Sequence, residues 1–250
     1  MLNIVIPMAG AGTRFLIAGY KLPKPLITVH GKPMIQVVIE NLRPECEHRF
    51  IFICQSKHIE EYNLKNKLHS WAPNSEILVI NEITEGAACT VLKARHLINS
   101  DDELMIANAD QYVDANINSY LRYGSAESLD GLIMTMYAND PKWSYAIMGQ
   151  DNLVQKVVEK EVVSNEATVG IYNFRRGKDF VAAADEMIAL DIRVNGEFYV
   201  APVYNMLIEK NARVSVYNIG SIGNGMYGLG TPADLDFFLG QPVSKKFLVL

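Results

Sequence analysis

The sequence predicts one α/β domain built on a doubly wound mixed sheet, mostly parallel, with a β-rich second half. Three observations lead there. Short apolar runs rich in β-branched residues alternate with helical patterns through about residue 107. Four closely spaced β-type runs follow between residues 131 and 174, separated by turn residues. No linker, repeat or low-complexity stretch divides the chain, so a single unit spans 1–250, its halves meeting at residues 115 and 116.

Taken in order, Asn3–Pro7 (NIVIP) is a buried strand ending in Pro and Gly. Pro33–Leu42 is a helix with Pro at its first position and apolar residues at helical spacing. A strand at Phe50–Cys54 precedes a helix within Ser56–Leu68; strands at Ile77–Ile80 and Leu104–Ala107 flank a helix at Ala87–Leu97. In the second half, Gly131–Tyr137, Tyr145–Met148, Leu153–Glu159 and Thr168–Phe174 read as strands, and Gly149–Asn152 (GQDN) marks a hairpin turn. Helices are expected at Arg176–Ile188, Pro202–Asn211 and Pro232–Leu239, with a further strand at Arg213–Asn218.

Composition restricts the partners. The chain is 49% hydrophobic and 20% charged, with a net charge of −5. General attraction to nucleic acid or to an anionic membrane is therefore excluded as an expectation. No apolar run reaches the about 20 residues a bilayer requires, and MLNIVIPMAG has no basic leader, which points to the cytoplasm. Cys46, Cys54 and Cys89 are odd in number, without metal-type spacing, and read as reduced, buried thiols. The five histidines form no ligand pattern.

The chemistry concentrates after the first strand. Met8–Arg14 (MAGAGTR) leaves a strand's carboxyl end, where open α/β sheets bind ligands. Small side chains at Ala9, Gly10, Ala11 and Gly12 free backbone N–H groups to approach a phosphate. The loop lacks the third glycine of a dinucleotide fingerprint and the Gly-Lys-Ser/Thr of a Walker loop. What it has instead is Thr13, then Arg14, and after them Lys24 framed by Pro23 and Pro25. Those two cations suit phosphate oxygens.

Together, IPMAGAGTRF, LPKPLI and GKPMI resemble the N-terminal signature of the sugar-phosphate nucleotidyltransferases, the nucleoside-diphosphate-sugar pyrophosphorylases. The resemblance implies their Rossmann-like nucleotidyltransferase fold, with a nucleotide-binding half at 1–115 and an acceptor-binding half at 116–250. It implies a loop (Met8 to Thr13) around a nucleotide, with Arg14 on the leaving pyrophosphate and Lys24 on the α-phosphate. Glu85–Ala88 (EGAA) is similar to the family segment whose Gly86 and Ala87 lie against the nucleobase, with Asn81 or Glu82 reading its edge. Ala107–Asp114 (ANADQYVD) resembles the family strand ending in the aspartate that holds Mg²⁺, here Asp110, with Asn108 nearby. Val157–Glu161 (VVEKE) matches the segment in which Glu159 would bond sugar hydroxyls and Lys160 the acceptor phosphate. Ala167–Phe174 resembles the strand whose Gly170 lines the sugar pocket, and Tyr145, Tyr199 and Glu197 are further candidates for that pocket.

Two positions depart from the pattern. Many relatives carry a metal-binding aspartate two residues before the Gly-Thr pair of a Trp-x-Asp-x-Gly-Thr-Pro stretch; here that position is Gly228, and Glu197 or Asp234 would have to substitute. Glu161 stands where proline is common. The implied activity is Mg²⁺-dependent transfer of a nucleotide from a nucleoside triphosphate, CTP or UTP favoured, to a sugar 1-phosphate for surface polysaccharide precursors. One rival is a cytidylyltransferase for a phosphorylated alcohol or amine, recognisable by aromatic groups facing a cation. The other is a non-catalytic nucleotide-sugar-binding module. A glycosyltransferase would need an Asp-x-Asp motif that Asp110-Gln111-Tyr112 does not supply. A homodimer is compatible with the apolar tail Phe237–Leu250.

Overall fold

The computed structural model describes residues 1–248; Val249 and Leu250, the end of the apolar tail, lie outside the described residues. The strands are β1 (Leu2–Pro7), β2 (Thr28–Val29), β3 (Lys32–Pro33), β4 (His48–Gln55), β5 (Glu76–Ile80), β6 (Glu103–Ala107) and β7 (Gln111–Val113). They continue as β8 (Gly131–Tyr137), β9 (Ser144–Met148), β10 (Val154–Glu159), β11 (Glu166–Phe174), β12 (Val214–Ile222) and β13 (Gly225–Gly228). Eleven of them form one sheet in the order β5-β4-β1-β6-β11-β8-β12-β13-β7, with the β9–β10 hairpin attached to β11 through β9. β2 and β3 make a separate two-stranded ribbon.

The β5-β4-β1-β6 portion is wholly parallel, as strand–helix alternation requires. β11 then enters antiparallel between β6 and β8, and the β9–β10 and β13–β7 pairs add further antiparallel ladders that make the sheet mixed. Both faces are covered. Leu2, Ile4 and Ile6 point into one core with Phe52 and Met105, whereas Val5 points into another with Ile51, Ile106 and Phe174. A strand buried on both faces reads as a continuous apolar run, which is why NIVIP showed no alternation. A third cluster, including Phe15, Ile27, Met34, Tyr112, Phe238 and Phe247, packs the chain's two ends against each other. The described part of the tail thus packs inward through Phe238 and Phe247, while Phe237 stays exposed.

Several local expectations need correction. The helix expected within Ser56–Leu68 is two helices, Ser56–Tyr62 and Leu64–Trp71, because Asn63 takes a left-handed conformation with φ of 50°. The Ala87–Leu97 expectation likewise divides into Ala87–Leu92 and Arg95–Ile98. The helix Ile117–Ala126, capped by Asn116, and the short strands β7 and β13 went unread. Cys54 is buried, but Cys46 is exposed and Cys89 partly so. Among the described residues no helix is long and apolar enough to cross a membrane.

Candidate functional site

The carboxyl end of β1 opens onto a cleft of about 560 Å³. One wall is Met8, Ala9, Gly10 and Ala11; Lys24, Asn108 and Asp110 form the floor region, and Gly86 and Ala87 approach from across it with Glu197 and Tyr199. Met8 is anchored by its N–H donating to the Ile53 carbonyl at 2.9 Å, and Gln55 Nε2 donates to the Ala9 carbonyl at 2.6 Å. The neighbouring parallel strand therefore sets the loop's path. A Cβ on Gly10 would meet nothing within 4 Å, so that glycine leaves open space for a ligand.

Lys24 begins a short 3-10 turn, Lys24–Leu26, after Pro23 in extended conformation. Its ammonium donates to Asp110 Oδ2 at 2.7 Å, with both side chains about one quarter exposed. Residues 86 apart in sequence are thus joined at the carboxyl ends of β1 and β6. Asp110 is held by its carbonyl accepting from Leu229 N–H at 2.8 Å. A Cβ on Gly230 would come within 2.8 Å of Asp110 Oδ2, so the Gly-Thr-Pro glycine makes room for this carboxylate.

A second cavity of about 260 Å³ adjoins the first, sharing Ala87, Asn108 and Tyr199 with it. It is built by the open end of the β9–β10 hairpin. Register pairs Ser144 with Glu159, and the next residues out, Trp143 and Lys160, are joined by Lys160 N–H donating to the Trp143 carbonyl at 3.0 Å. Glu159 is 8% exposed; Ser144 Oγ donates to its Oε2, and Lys160 Nζ lies 3.7 Å from its Oε1. Burial pushes the Glu159 carboxyl above the ordinary glutamate range, against the pull of Ser144 and Lys160. Lys160 has a left-handed backbone (φ 57°), and its ammonium stands 4.9 Å from the Tyr199 ring centroid.

Two glycines join the walls. Gly170 (φ 78°) lies in a register irregularity of β11 against β8, and any Cβ there would overlap the Asn108 amide. Asn108 N–H donates to the Gly170 carbonyl at 3.0 Å, so the two backbones need this closeness. At Gly86 (φ 124°) a Cβ would lie 2.5 Å from the Phe198 carbonyl oxygen. Phe198 N–H donates to Glu85 O at 2.7 Å and Ala88 N–H donates to Phe198 O at 3.0 Å, which brings Glu197 and Tyr199 to the cleft.

The geometry sorts the sequence candidates. Met8, Ala9, Gly10, Ala11, Lys24, Gly86, Ala87, Asn108, Asp110 and Glu197 border the cleft; Glu159, Lys160 and Gly170 border the adjoining cavity. Gly12, Thr13 and Arg14 border neither; Arg14 is exposed on the short helix Thr13–Ile17. Asn81 and Glu82 line a different hollow, which meets the cleft only at Ile83 and Thr84. Tyr145 requires correction: its ring is fully buried in the core and its hydroxyl donates to the Asp140 carbonyl, so it lines neither cavity. Lys142, Trp143, Ser144, Thr168 and Tyr172 also border the adjoining cavity, and no sequence motif points to them. The segment Lys142–Ser144 shows its role only through cross-strand register with Glu159 and Lys160.

Of the carboxylates considered for a metal, Asp110 and Glu197 face the cleft. Asp234 is engaged in capping Pro232–Leu239: its N–H donates to Thr231 Oγ1 at 3.1 Å, and Thr231 Oγ1 donates to its Oδ2 at 2.7 Å. Among the described residues no group of three or more His, Cys, Asp or Glu could hold an ion by itself. Asp110 and Glu197 are the carboxylate donors that the cleft offers a hard divalent cation, which can complete its shell with water and substrate phosphates.

The family model described as nucleotidyl transferase matches residues 4–187. The bifunctional protein GlmU of Methanococcus maripaludis is 28% identical over 98% of this chain and 56% of its own length. A mannose-1-phosphate guanyltransferase of Hypocrea jecorina is 27% identical over 68% of this chain and 48% of its own. The chain thus spans about half the length of these curated relatives. The crystal structure of a nucleoside-diphosphate-sugar pyrophosphorylase from Vibrio cholerae RC9 superposes with a TM-score of 0.78, at 25% identity, over 95% of this chain and all of that one. A strand-end loop of small residues, a lysine–aspartate couple beneath it and a family match covering both lead to one assignment: this chain belongs to the nucleotidyl transferase family.

Proposed function

We propose that the protein transfers a nucleotide from a nucleoside triphosphate, CTP or UTP, to a sugar 1-phosphate, releasing pyrophosphate and forming a nucleoside-diphosphate sugar. The observation that carries this reading is the Lys24–Asp110 couple at 2.7 Å in a cleft that shares its wall with the Glu159–Lys160 cavity. Two adjoining compartments, each with a lysine beside a carboxylate, suit two phosphate-bearing substrates. The pyrimidine preference rests on Asn81 and Glu82, whose neighbours Ile83 and Thr84 border the cleft.

In the reaction, an acceptor phosphate oxygen attacks the α-phosphorus. A new P–O bond forms, the bond to the bridging oxygen breaks in line, and pyrophosphate leaves with that electron pair. The attacking oxygen is already anionic, so no protein nucleophile is needed; the protein must align and neutralise. Lys160 would hold the acceptor phosphate, Lys24 the α-phosphate and Arg14 the departing pyrophosphate. The backbone N–H groups of Met8–Ala11 would receive the triphosphate. Nucleotidyltransferases of this family generally use a divalent metal. Here Asp110 would hold Mg²⁺, which when bound supplies charge neutralisation between phosphates.

The test is pyrophosphate release from each of the four common nucleoside triphosphates against a panel of sugar 1-phosphates, with and without Mg²⁺. Turnover with a pyrimidine triphosphate that stops on chelation is expected. Binding without pyrophosphate release across the panel would instead support a non-catalytic module.

A further inference from the structure

Lysine carries its charge on a flexible four-carbon stem, so a fixed backbone at Lys160 does not by itself fix the ammonium. Resting on the transfer reaction above, we infer that Tyr199 is a positioning residue: its ring holds the Lys160 ammonium beside the wall the two compartments share, where the acceptor phosphate has to meet the α-phosphate.

Few groups near this ammonium can hold it. Glu159 Oε1 lies 3.7 Å from Lys160 Nζ, beyond hydrogen-bond reach, and Glu159 Oε2 is taken by Ser144 Oγ. The Tyr199 ring centroid lies 4.9 Å from Nζ, within the range where an aromatic face attracts a cation. The two holders differ in what they leave for a substrate. A close carboxylate would engage the ammonium's N–H donors and compete with a phosphate for them, whereas a ring face steadies the charge and leaves those donors free. The Lys160 side chain is one-third exposed and so open to an incoming anion.

Both partners stand on anchored main chain. Lys160 is left-handed, with φ of 57°, and its N–H donates to the Trp143 carbonyl at 3.0 Å. Tyr199 follows Phe198, which is 1% exposed and bonded through its main chain to Glu85 and Ala88 at 2.7 and 3.0 Å. The ring therefore belongs to the segment tied to the Gly86 side of the cleft, while the lysine belongs to the β9–β10 hairpin. Tyr199 borders both compartments and Lys160 only the adjoining one, so the contact reaches from the shared wall to the acceptor-side cation. The neighbouring contact, Lys142 Nζ at 5.1 Å from the Trp143 centroid, has no such reach: Lys142 has Asp140 at 3.3 Å, and Trp143 does not border the cleft.

A first measurement needs no turnover. Reductive ¹³C-methylation of the intact chain keeps the lysine charges and gives each lysine a resonance, that of Lys160 being the one lost in Lys160→Arg. An ammonium over a ring face is shifted upfield, so the Lys160 signal should move downfield in Tyr199→Leu and stay in place in Tyr199→Phe. An unmoved signal in Tyr199→Leu overturns the inference. The second measurement is kcat/KM for whichever sugar 1-phosphate of the panel turns over fastest, at saturating triphosphate. Tyr199→Leu should lower it by about three- to thirtyfold, the span from an exposed to a desolvated cation–π contact, with triphosphate KM unchanged; Tyr199→Phe should retain most of the activity. In a Lys160→Met background Tyr199→Leu should cost nothing further, because the ring acts through that ammonium. Equal losses in both backgrounds, a rise in triphosphate KM, or a Phe variant as impaired as Leu would assign Tyr199 a wall or hydroxyl role and overturn the inference while the transfer reaction stands. No pyrophosphate from any acceptor overturns the transfer reaction itself, and this use of the contact with it.

Discussion

The two walls of the site are made of different material. In the cleft proposed for the nucleotide, the small residues Ala9, Gly10, Ala11, Gly86 and Ala87 stand beside Lys24, Asp110, Glu197 and Tyr199. In the cavity proposed for the acceptor, large side chains prevail, Trp143, Glu159, Lys160 and Tyr172, with Tyr199 shared between the two compartments. Phosphates are alike in all nucleotides and can be met by main-chain N–H groups, for which small residues need only stay out of the way. An acceptor has to be told apart from others of its kind, and that takes side chains with shape and charge.

The largest effect should fall where the walls meet chemically. Lys24→Ala and Asp110→Asn should each lower pyrophosphate release by about 100- to 1000-fold, the range for removing one charge-stabilising group, with the thermal transition little changed. Retention of near-normal turnover in both would remove the couple from the mechanism. Next comes a contrast between glycines. Gly86→Ala places a Cβ 2.5 Å from the Phe198 carbonyl at a φ of 124°, and should destabilise the fold by about 1–3 kcal/mol and weaken both substrates. Gly10→Ala has nothing within 4 Å and should leave stability within about 0.5 kcal/mol; its effect belongs in the KM for the triphosphate. Equal melting temperatures for the two variants would erase the distinction between glycines that join walls and those that clear space.

Glu159 sharpens the acceptor side through pH. Its folded-state carboxyl is raised by burial, so the folded chain holds that proton to higher pH than the unfolded chain does. The associated stability is present below the ordinary glutamate range and is lost as pH rises through the folded value. Glu159→Gln should therefore gain stability relative to the parent as pH increases from 4 to 7.5 in thermal melts; a constant difference would contradict the assignment. The smallest effect is expected at Arg193, which bridges Glu85 at 2.8 Å and covers Phe198 from 4.3 Å. An exposed pair of this kind contributes little, so Arg193→Ala should barely move the melting temperature and should raise acceptor KM only a few-fold.

The difference between the walls also explains what sequence reading reached. NIVIP, the strand at Gly131–Tyr137, the GQDN hairpin and the helix Pro232–Leu239 were legible because pattern and turn chemistry there are local. Lys24, Asp110, Glu159 and Lys160 stood in motifs. Trp143 and its neighbours carried no such signal, since their place depends on pairing across the hairpin. The core position of Tyr145 follows from the same register: strand residues alternate faces, and Tyr145 is next to Ser144, whose side chain meets Glu159. The helix Ile117–Ala126 buries only Ile117 and Tyr120, too few apolar positions to stand out. Asn63 ends a helix through backbone handedness that its sequence neighbourhood does not announce.

One consequence concerns how such a site can change over generations or at a designer's bench. Because the Phe198 main chain is hydrogen-bonded to Glu85 and Ala88 on either side of Gly86, the wall assigned to the base and the wall assigned to the acceptor in the proposed reaction are cut from one piece. Retuning either preference by altering that seam displaces the other, so new substrate pairs should be sought first at Trp143 and Lys142, which stand outside it.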